Sequence, residues 1–406
     1  MPNVLFVAPY FLETTLRFVA GAAMLPDVRL GLISTDPEEK LPAGLRSRLA
    51  AHFRVDDCLD PREIVRAAAF LKSRLGSIDA LIGTLEELQV PLAEAREALG
   101  VPGMDPGTAR NFRDKNRMKQ VLSANGFPCA RHQLCATEAE ALQFGERSGY
   151  PVVVKPPAGA GARQTYRVDD AEALKRSFAI TAPTPEKPVL LEEFVLGREH
   201  SFDSVMIHSR PVWFSISQYS PTPLEVLENP WIQWSVLLPR DLSGPEFADV
   251  PPLAFGSLVA LGLSTGLTHM EWFRRKDGSV AISEVAVRPP GAQFTSLMSY
   301  AHDFDLYRAW AHLMVFEEFV APPRKYAVGA AFLRGQGAGR VKVIHGLPEA
   351  NQAVGDLVVE AKLPTPNQAP SGSYEGEGYV ILRHPETAVV EAGLRKVITT
   401  LRVELG

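Results

Sequence analysis

Two carboxylates and a guanidinium near residue 280 have the spacing of a site that handles phosphate and metal ions. Two strand-like runs flank Asp277-Gly278, and such a dipeptide is a strong signal for a β-hairpin turn. Alternation along the strands points Glu271 and Glu284 to the same side, and Arg288 follows shortly after. Carboxylate pairs hold Mg²⁺ ions that also take phosphate oxygens, and an arginine suits a developing phosphoryl charge. The hairpin therefore predicts a metal and phosphate site, provided that other segments bind a nucleotide.

Two lysines and a glycine-rich loop upstream are suited to bind an anion. Lys115 lies at the start of a predicted helix, and Lys155 ends a predicted strand. Taken alone, each lysine is best interpreted as a solvated charge. The loop after the second lysine contains Gly159, Ala160 and Gly161, and its glycines free the backbone to turn N–H groups toward an anion. The spacing differs from the P-loop and from the dinucleotide-binding fingerprint, so neither of those folds is indicated.

A predicted strand near residue 190 ends with two acids, an aromatic residue and a turn. Glu192 and Glu193 precede Phe194 and Val195, and Glu199 follows the turn. This arrangement can offer backbone groups to an adenine edge and carboxylates to ribose hydroxyls. Taken alone, the pattern is better interpreted as an amphipathic strand whose acids are solvated.

The first part of the chain alternates strands and helices in the rhythm of an open, largely parallel sheet. The predicted strands are Val4–Ala8, Val28–Ser34 and Ala80–Gly83, and the predicted helices are Glu13–Met24 and Arg62–Arg74. Loops at the carboxyl ends of such strands are where ligands usually lie. The stretch 100–107, rich in Gly and Pro, then marks a boundary, so residues 1–107 form the first predicted domain.

Three further units are predicted downstream: a small α+β lid over 108–195, a strand-rich central domain over 196–324 and a final α+β segment over 325–406. The lid begins with one helix predicted over 108–125. Thr137, with Glu140 three residues later, predicts a capping box at the start of the next helix. The fold class is therefore α/β and α+β multidomain, with an N-terminal open parallel sheet.

Composition excludes several classes of protein. The chain has 406 residues, which is too long for one compact core. A formal charge of −5 without a long Lys/Arg run gives no reason to expect nucleic acid as a partner. No apolar stretch approaches membrane-spanning length, and the N-terminus lacks a basic signal-peptide region. Three cysteines without a Cys-x-x-Cys pair predict reduced thiols in a cytoplasmic protein rather than disulfides or a zinc site.

Taken together and in this order, these elements resemble the ATP-grasp superfamily of carboxylate–amine ligases over nearly the whole chain. The resemblance implies an ATP-grasp fold with a pre-ATP-grasp domain, a lid and a strand-rich central and C-terminal domain. It implies phosphate binding by Lys115 and Lys155, lid-loop closure by Gly159, Ala160 and Gly161, nucleotide contacts by Glu192, Glu193, Phe194 and Val195, ribose binding by Glu199, metal binding by Glu271 and Glu284, and a catalytic Arg288 near the reacting carboxylate.

The sequence departs from the common family pattern at two points. The E-x-N-x-R pattern carries a third metal ligand at the position of Ala286, which leaves the number of metal ions open. Instead, E-x-A-x-R after T-H-x-E resembles the bacterial L-amino-acid (dipeptide) ligases. No lysine occurs between Lys187 and Lys276, so Arg240 is the candidate for a phosphate contact that some members make there.

Only a few residues indicate which part of the chain would bind the substrates. His269 has two equally weighted interpretations, as a residue that faces the substrate and as a packed strand residue. Pro290 and Gly291 follow the arginine and are predicted to shape a substrate loop, because Gly permits backbone close to a ligand. Trp231 and Trp234 are better interpreted as core or interface aromatics than as pocket walls.

The resulting hypothesis is an ADP-forming ligase that joins a carboxylate to an amine through an acylphosphate, with an amino acid as the expected carboxylate substrate. The implied cofactors are ATP and Mg²⁺, with Mn²⁺ as an alternative metal. The expected partners are small-molecule acids and amines, with no nucleic acid and no membrane, and biotin-carboxylase-like relatives imply a homodimer. Three alternatives stay open: a ligase for a nucleotide-pathway acid or amine, an ATP-binding regulator without catalysis, and a kinase-like transfer to a carboxylate without an amine step.

Overall fold

The amino-terminal region is an open parallel sheet with helices around it, in agreement with its alternating pattern. The computed structural model describes residues 1–159, 164–229, 231–371 and 373–406. The elements here are β1 (Asn3–Val7), α1 (Glu13–Ala23), β2 (Arg29–Ser34), α2 (Ala43–Arg46), β3 (Ala51–Arg54), α3 (Pro61–Leu75), β4 (Ala80–Ile82) and α4 (Gln89–Leu99). The strand order is β3-β2-β1-β4, and every pair is parallel. Because helices cover the sheet, β1 is buried along its whole length, which explains its continuous apolar run.

The single helix predicted over 108–125 is in fact two helices, α5 (Pro106–Arg113) and α6 (Lys115–Ala124). Asp114 between them has an extended backbone, and its carboxylate accepts the N–H of Arg117 as the N-cap of α6. The prediction was wrong because both helices contribute apolar residues to one core, so the apolar pattern runs through the break. The break also frees the N–H of Lys115, which bonds to the carbonyl oxygen of Pro157 at 2.9 Å.

The lid is a four-stranded antiparallel sheet backed by two helices. Its elements are β5 (His132–Cys135), α7 (Glu138–Ser148), β6 (Val152–Lys155), β7 (Tyr166–Val168), α8 (Ala171–Thr181) and β8 (Val189–Glu193), with the strand order β5-β8-β6-β7. The capping box predicted at Thr137 and Glu140 is present at the start of α7. Strands β6 and β8 pair directly, which brings Lys155 near Glu192.

An eight-stranded sheet forms the body of the molecule. Its first half contains β9 (Gly197–Ile207), β10 (Arg210–Ser220), β11 (Trp234–Leu238), β12 (Gly266–Arg275) and β13 (Val280–Ala286), and the helices of this region are α9 (Pro223–Glu228), α10 (Val250–Ala260), α11 (Phe294–His302) and α12 (Leu306–Phe316). Strands β12 and β13 form the hairpin predicted around Asp277-Gly278.

The last part of the chain completes the same sheet. Its elements are β14 (Ala327–Leu333), β15 (Gly335–Gln336), β16 (Val341–His345), α13 (Leu347–Val354), β17 (Val358–Lys362), β18 (Gly378–His384), α14 (Thr387–Thr400) and β19 (Arg402–Leu405). The large sheet has the order β13-β12-β9-β10-β11-β14-β18-β17, while β15, β19 and β16 form a small separate sheet. The boundary predicted at residue 324 lies in the segment between α12 and β14, and strands on both sides of it belong to one continuous sheet, because β14 pairs with β11.

Close packing of α1 on α12 fixes the first domain against the large sheet. Phe18 meets the rings of Tyr307 and Trp310 edge-on, with centroids 4.7 and 5.1 Å apart. At Gly21 a side chain would come within 2.8 Å of the backbone nitrogen of Arg308, so only glycine permits this approach. The loops at the carboxyl edge of the parallel sheet are thereby held over the large sheet.

The contact between β14 and α14 gives a stability prediction. A Cβ at Gly329 would lie 2.4 Å from Cδ1 of Leu394 and 2.9 Å from the carbonyl oxygen of Val236. We expect Gly329→Ala to lower the free energy of unfolding by about 1–3 kcal/mol, since overpacking displaces a buried side chain. Gly44→Ala is the matched control, because nothing lies within 4 Å of a Cβ there and Ala favours helix. Urea unfolding of both variants measures the difference, and equal stability would contradict the packing argument.

Candidate functional site

A cavity of about 580 Å³ lies between the lid and the large sheet, a size typical of small-molecule sites. Most of the residues predicted from sequence line it: Lys115, Lys155, Gly159, Glu192, Glu193, Phe194, Val195, Glu199, His269, Glu271, Glu284, Arg288 and Gly291. Pro290 is buried but does not line the cavity. Ala160 and Gly161 lie outside the described residues.

Three neighbouring strands present acids on one face of the large sheet. Glu271 of β12 lies directly opposite Glu284 of β13, and opposite Ser201 of β9 on its other side. Glu199, two residues before Ser201, shares that face because side chains alternate along a strand. Burial raises the pKa of Glu199 well above its usual value, and the charge of Glu271 raises it further. A cation would relieve this repulsion.

This donor set fits a Mg²⁺ ion that is shared with a ligand. Carboxylates are the ligands that Mg²⁺ prefers, and it usually takes one or two of them together with phosphate oxygens and water. Within the described ranges, no group of three or more His, Cys, Asp and Glu side chains could hold a metal ion. An ion at this site would therefore need further donors from a ligand. The third ligand of the common family pattern is missing at Ala286, which lies opposite His269 in the hairpin. Glu271 and Glu284 would therefore hold the ion together with phosphate.

Lys115 is the closest cation to this acidic face. Its Nζ donates to Oε1 of Glu284 at 2.7 Å and to the carbonyl oxygen of Gly159 at 3.0 Å. Burial acts to raise the pKa of Glu284, but the charges of Lys115 and Lys155 outweigh burial and lower this pKa to about 2. Glu284 is thus an anion at neutral pH, and Lys115 joins the hairpin to the lid loop.

A second cluster contains a lysine that the sequence analysis missed. Lys155 Nζ lies 2.9 Å from Oε2 of Glu192, and Lys119 Nζ lies 3.4 Å from Oε1 of the same carboxylate. Lys119 is completely buried and donates to the carbonyl oxygen of Ser283 at 2.7 Å. Burial opposes ionisation of Glu192, yet the two lysines lower its pKa. The interpretation of Glu192 as a solvated acid was therefore wrong. The i, i+4 spacing of Lys115 and Lys119 on one helix face was the available signal.

Arg288 is held by an acid from the first domain that the sequence analysis also missed. Glu86, in the loop after β4, accepts bonds from Nη2 and Nε of Arg288 at 2.8 and 3.1 Å. Its other oxygen accepts a bond from Arg113 at 3.0 Å, and Arg113 also reaches the carbonyl oxygen of Gly159. Burial lowers the pKa of Arg288, but the charge of Glu86 outweighs burial and raises it. The feature of the sequence that could have identified Glu86 is its position, because it follows the carboxyl end of a parallel strand, where ligands usually bind.

His269 satisfies both interpretations of its sequence position. It lines the cavity, and it is also buried with Nδ1 2.7 Å from Oδ1 of Asp203. Its Nε2 lies 3.8 Å from Oε1 of Glu271. Burial lowers the pKa of His269, but Asp203 outweighs burial and raises this pKa to about 9. The ring is therefore held in one orientation beside the acidic face.

The other end of the cavity has an aromatic wall at the lid. The guanidinium of Arg167 lies 4.7 Å from the ring centroid of Phe194, a cation–π distance. Glu193 is bound by Arg131 at 2.6 Å and by Arg275 at 2.5 Å, which fixes the end of β8. Phe194 and its neighbours thus offer an apolar surface and backbone groups of the kind that suits a purine.

One minor expectation, the phosphate contact of Arg240, differs from the structure. Arg240 does not line the cavity, because its side chain and N–H bond to Pro385 and Thr387 on the surface near α14. Trp231 is 60% exposed, whereas Trp234 is fully buried in the core and also borders the cavity. Arg240 is therefore no substitute for the missing lysine.

Known proteins resemble this chain in sequence and in fold. The family described as "Carbamoyl-phosphate synthase L chain, ATP binding domain" matches residues 114–207, which span α6, the lid and β9. The chain is 23% identical to the L-arginine-specific L-amino acid ligase of Bacillus subtilis over 68% of this chain and 67% of that protein. The crystal structure of L-amino acid ligase from Bacillus licheniformis superposes with a TM-score of 0.80 at 19% identity, covering 100% of this chain and 99% of the other. Residues 114–207 thus match an ATP-grasp ATP-binding domain, and the whole chain has the ATP-grasp fold.

These similarities confirm the predicted resemblance and the predicted fold class. The ATP-grasp chain is also 34% identical over 115 residues to the carbamoyl phosphate synthase large chain, C-terminal section, of Methanopyrus kandleri, of which it spans 21%. In the described ranges, no helix is long and apolar enough to cross a membrane. The cytoplasmic location, the homodimer and Mn²⁺ stay predictions.

The position of Glu86 gives a prediction for this ATP-grasp site. We expect Glu86→Gln to lower the maximal turnover roughly 10- to 100-fold, because partners that orient a primary group typically matter by that factor. A glutamine keeps the shape but removes the charge that orients Arg288. Steady-state kinetics at saturating substrates and a thermal melt measure the effect.

Glu94→Gln is the control for this variant, because Glu94 pairs with Arg110 on the surface of the neighbouring helices. We expect wild-type turnover from the control. Wild-type turnover from Glu86→Gln as well would show that the ion pair does not orient Arg288.

Proposed function

We propose that the protein is an ATP-dependent, ADP-forming ligase that joins the carboxylate of an amino acid to an amine through an acylphosphate. The observation that carries the proposal is the meeting of Glu271, Glu284 and Arg288 with Lys115 and Lys155 in one cavity. Metal-binding acids, phosphate-binding cations and a guanidinium group are the parts that phosphoryl transfer to a carboxylate needs. The relatives named as L-amino acid ligases support the amino acid as substrate.

The nucleotide binds between the lid and the large sheet. Adenine packs on Phe194 and Val195, and Glu199 accepts hydrogen bonds from the ribose hydroxyls. Lys115 and Lys155 face the phosphates, which are the anions that ammonium groups bind as point charges. When bound, Mg²⁺ supplies charge neutralisation at Glu271 and Glu284.

The chemistry occurs in two steps at the Arg288 end of the cavity. An oxygen of the substrate carboxylate attacks the γ-phosphorus in line, the bond to the β-phosphate oxygen breaks, and ADP leaves. The amine nitrogen then attacks the acyl carbon, phosphate leaves with the bonding electrons, and the amine loses a proton. Arg288 holds the carboxylate and stabilises the charge that develops on it, while Glu86 keeps the guanidinium in place. Lid closure excludes water, which would otherwise hydrolyse the acylphosphate.

The roles of Arg288 and Glu284 are tested by substitution. We expect Arg288→Ala and Glu284→Gln each to lower substrate-dependent ADP release on the order of 10²- to 10³-fold, as loss of a charged transition-state contact commonly does. Arg395→Ala is the control, because that arginine is exposed on α14. ADP release over pairs of amino acids, with mass spectrometry of the products, is the measurement.

The product distinguishes this function from its rivals. Only ligation yields an amide, whereas transfer to a carboxylate alone releases ADP without one. ATP binding without ADP release over a broad panel of acids and amines would instead favour a regulator. Near-normal turnover in either variant would overturn the assigned roles.

A further inference from the structure

The proposed reaction steps leave one tyrosine hydroxyl near Arg288 unassigned. Tyr374 lies in the segment between β17 and β18, and it lines the cavity together with Arg288, Glu86 and Ala292. None of the residues that the structure describes forms a hydrogen bond to this hydroxyl. Because a phenol both donates and accepts hydrogen bonds, Tyr374 can offer a donor to a ligand in this part of the cavity.

Packing and one backbone hydrogen bond restrain Tyr374. The indole N–H of Trp234 donates to the carbonyl oxygen of Tyr374 at 2.5 Å, and the two rings meet edge-on with centroids 5.5 Å apart. Trp234 is fully buried and stacks on Phe332 with centroids 4.5 Å apart. The hydroxyl is therefore supported by the core of the large sheet. A donor that is fixed before the reaction needs no reorganisation when charge develops on the substrate.

The donors of Arg288 are largely occupied by the protein. Its Nε and Nη2 donate to Glu86, and its Nη1 donates to the carbonyl oxygen of Pro289 at 3.1 Å. A guanidinium has five N–H donors, so protein groups take more than half of them. A carboxylate has two oxygens, each with two lone pairs, and the remaining donors of Arg288 satisfy only part of this capacity. A second donor near Arg288 would complete the binding of the substrate carboxylate.

The surroundings of Tyr374 keep its hydroxyl in the donor form. Burial raises the pKa of Tyr374, and the charges of Glu375 and Glu271 raise it further, whereas Arg288 acts in the opposite direction. The phenol therefore keeps its proton at neutral pH. Because the charges of both Glu271 and Arg288 act on the phenol oxygen, this oxygen lies in the region where the carboxylate is proposed to react.

We propose that Tyr374 is a further catalytic residue of the ligase, and that its hydroxyl donates a hydrogen bond to the acyl oxygen of the substrate when the amine attacks. The acyl oxygen is the carboxylate oxygen that does not take the phosphoryl group. Arg288 binds the same carboxylate, and Trp234 holds the tyrosine in place. This inference rests on the proposed ligase function and deepens it by assigning a group that acts on the second step.

The charge on the acyl oxygen changes in opposite directions in the two steps. When the carboxylate attacks the γ-phosphorus, the acyl oxygen loses negative charge and becomes a carbonyl oxygen, so a donor there does not favour this step. When the amine nitrogen attacks the acyl carbon, the C=O π electrons move to the acyl oxygen, which becomes an oxyanion. The carbonyl then re-forms, the bond from carbon to the bridging oxygen breaks, and phosphate leaves with that electron pair and takes the proton of the amine. A fixed donor such as Tyr374 therefore favours the second step selectively.

Removal of the hydroxyl should separate the two steps in time. The measurement is rapid-quench analysis of a single turnover, with ADP and amide followed together. The acid is the amino acid that the wild type couples best to L-alaninamide, whose blocked carboxyl group confines it to the role of amine. We expect Tyr374→Phe, which keeps the ring, to form ADP at nearly the wild-type rate. Amide formation should slow on the order of 10²-fold, as removal of one oxyanion donor commonly causes.

Tyr326→Phe is the matched control, since Tyr326 lies outside the described lining of the cavity and its ring centroid is 4.3 Å from the guanidinium carbon of Arg383. We expect wild-type rates of both steps from this variant. Single-turnover rate constants do not depend on the fraction of folded protein, so a folding defect in Tyr374→Phe would lower only the amplitudes. Wild-type rates of both steps in Tyr374→Phe, or equal slowing of both, would overturn the role of Tyr374 and leave the ligase function standing. Absence of amide from the wild type with every amino acid would overturn the ligase function and this inference with it.

Discussion

Desolvation of carboxylates is the constraint on which the site depends. An isolated buried carboxylate is strongly disfavoured, and the fold brings a cation to several of those in the cavity. The pairs are Lys115 with Glu284, Lys155 and Lys119 with Glu192, and Arg113 and Arg288 with Glu86. Each pair joins segments that are distant in sequence. The charge pairing therefore holds α6, the lid, the hairpin and the loop after β4 around one cavity.

The acids that lack such a partner show where further positive charge belongs. Glu199 has no lysine or arginine ion pair in the part of the chain that is described, and burial with Glu271 nearby raises its pKa. Glu284, in contrast, is kept ionised by two lysines. Charge is therefore unevenly distributed in the cavity. The lysine ammonium groups lie toward the lid, and the excess of carboxylate groups lies toward β9 and β12. Phosphate groups suit the first side, and Glu271, which lies opposite Glu284, is placed to share a divalent cation with those phosphates.

Residues whose positions follow from local rules could be predicted from the sequence, and residues joined only by the tertiary fold could not. Alternation and the turn at Asp277-Gly278 predict the hairpin, but a register shift between Glu271 and Trp272 is what places Glu271 opposite Glu284, and no local rule predicted it. Glu86 approaches Arg288 across 202 positions of sequence, so no local pattern connects them. The break at Asp114 was missed because capping depends on one side chain, whereas the apolar periodicity on both sides stays in phase.

The far end of the cavity shows why the last part of the chain matters to the chemistry. Strand β11 carries Trp234, and Nε2 of the preceding Gln233 donates to the carbonyl oxygens of Ile398 and Leu401 at 2.8 Å each. Tyr374, between β17 and β18, accepts the indole N–H. The C-terminal segment thus fixes the Trp234 side of the cavity through backbone carbonyls, while the side with Glu284, Glu192 and Glu86 depends on side-chain charges. Because the two sides are held by different interactions, side chains around Trp234 can change without disturbing these ion pairs.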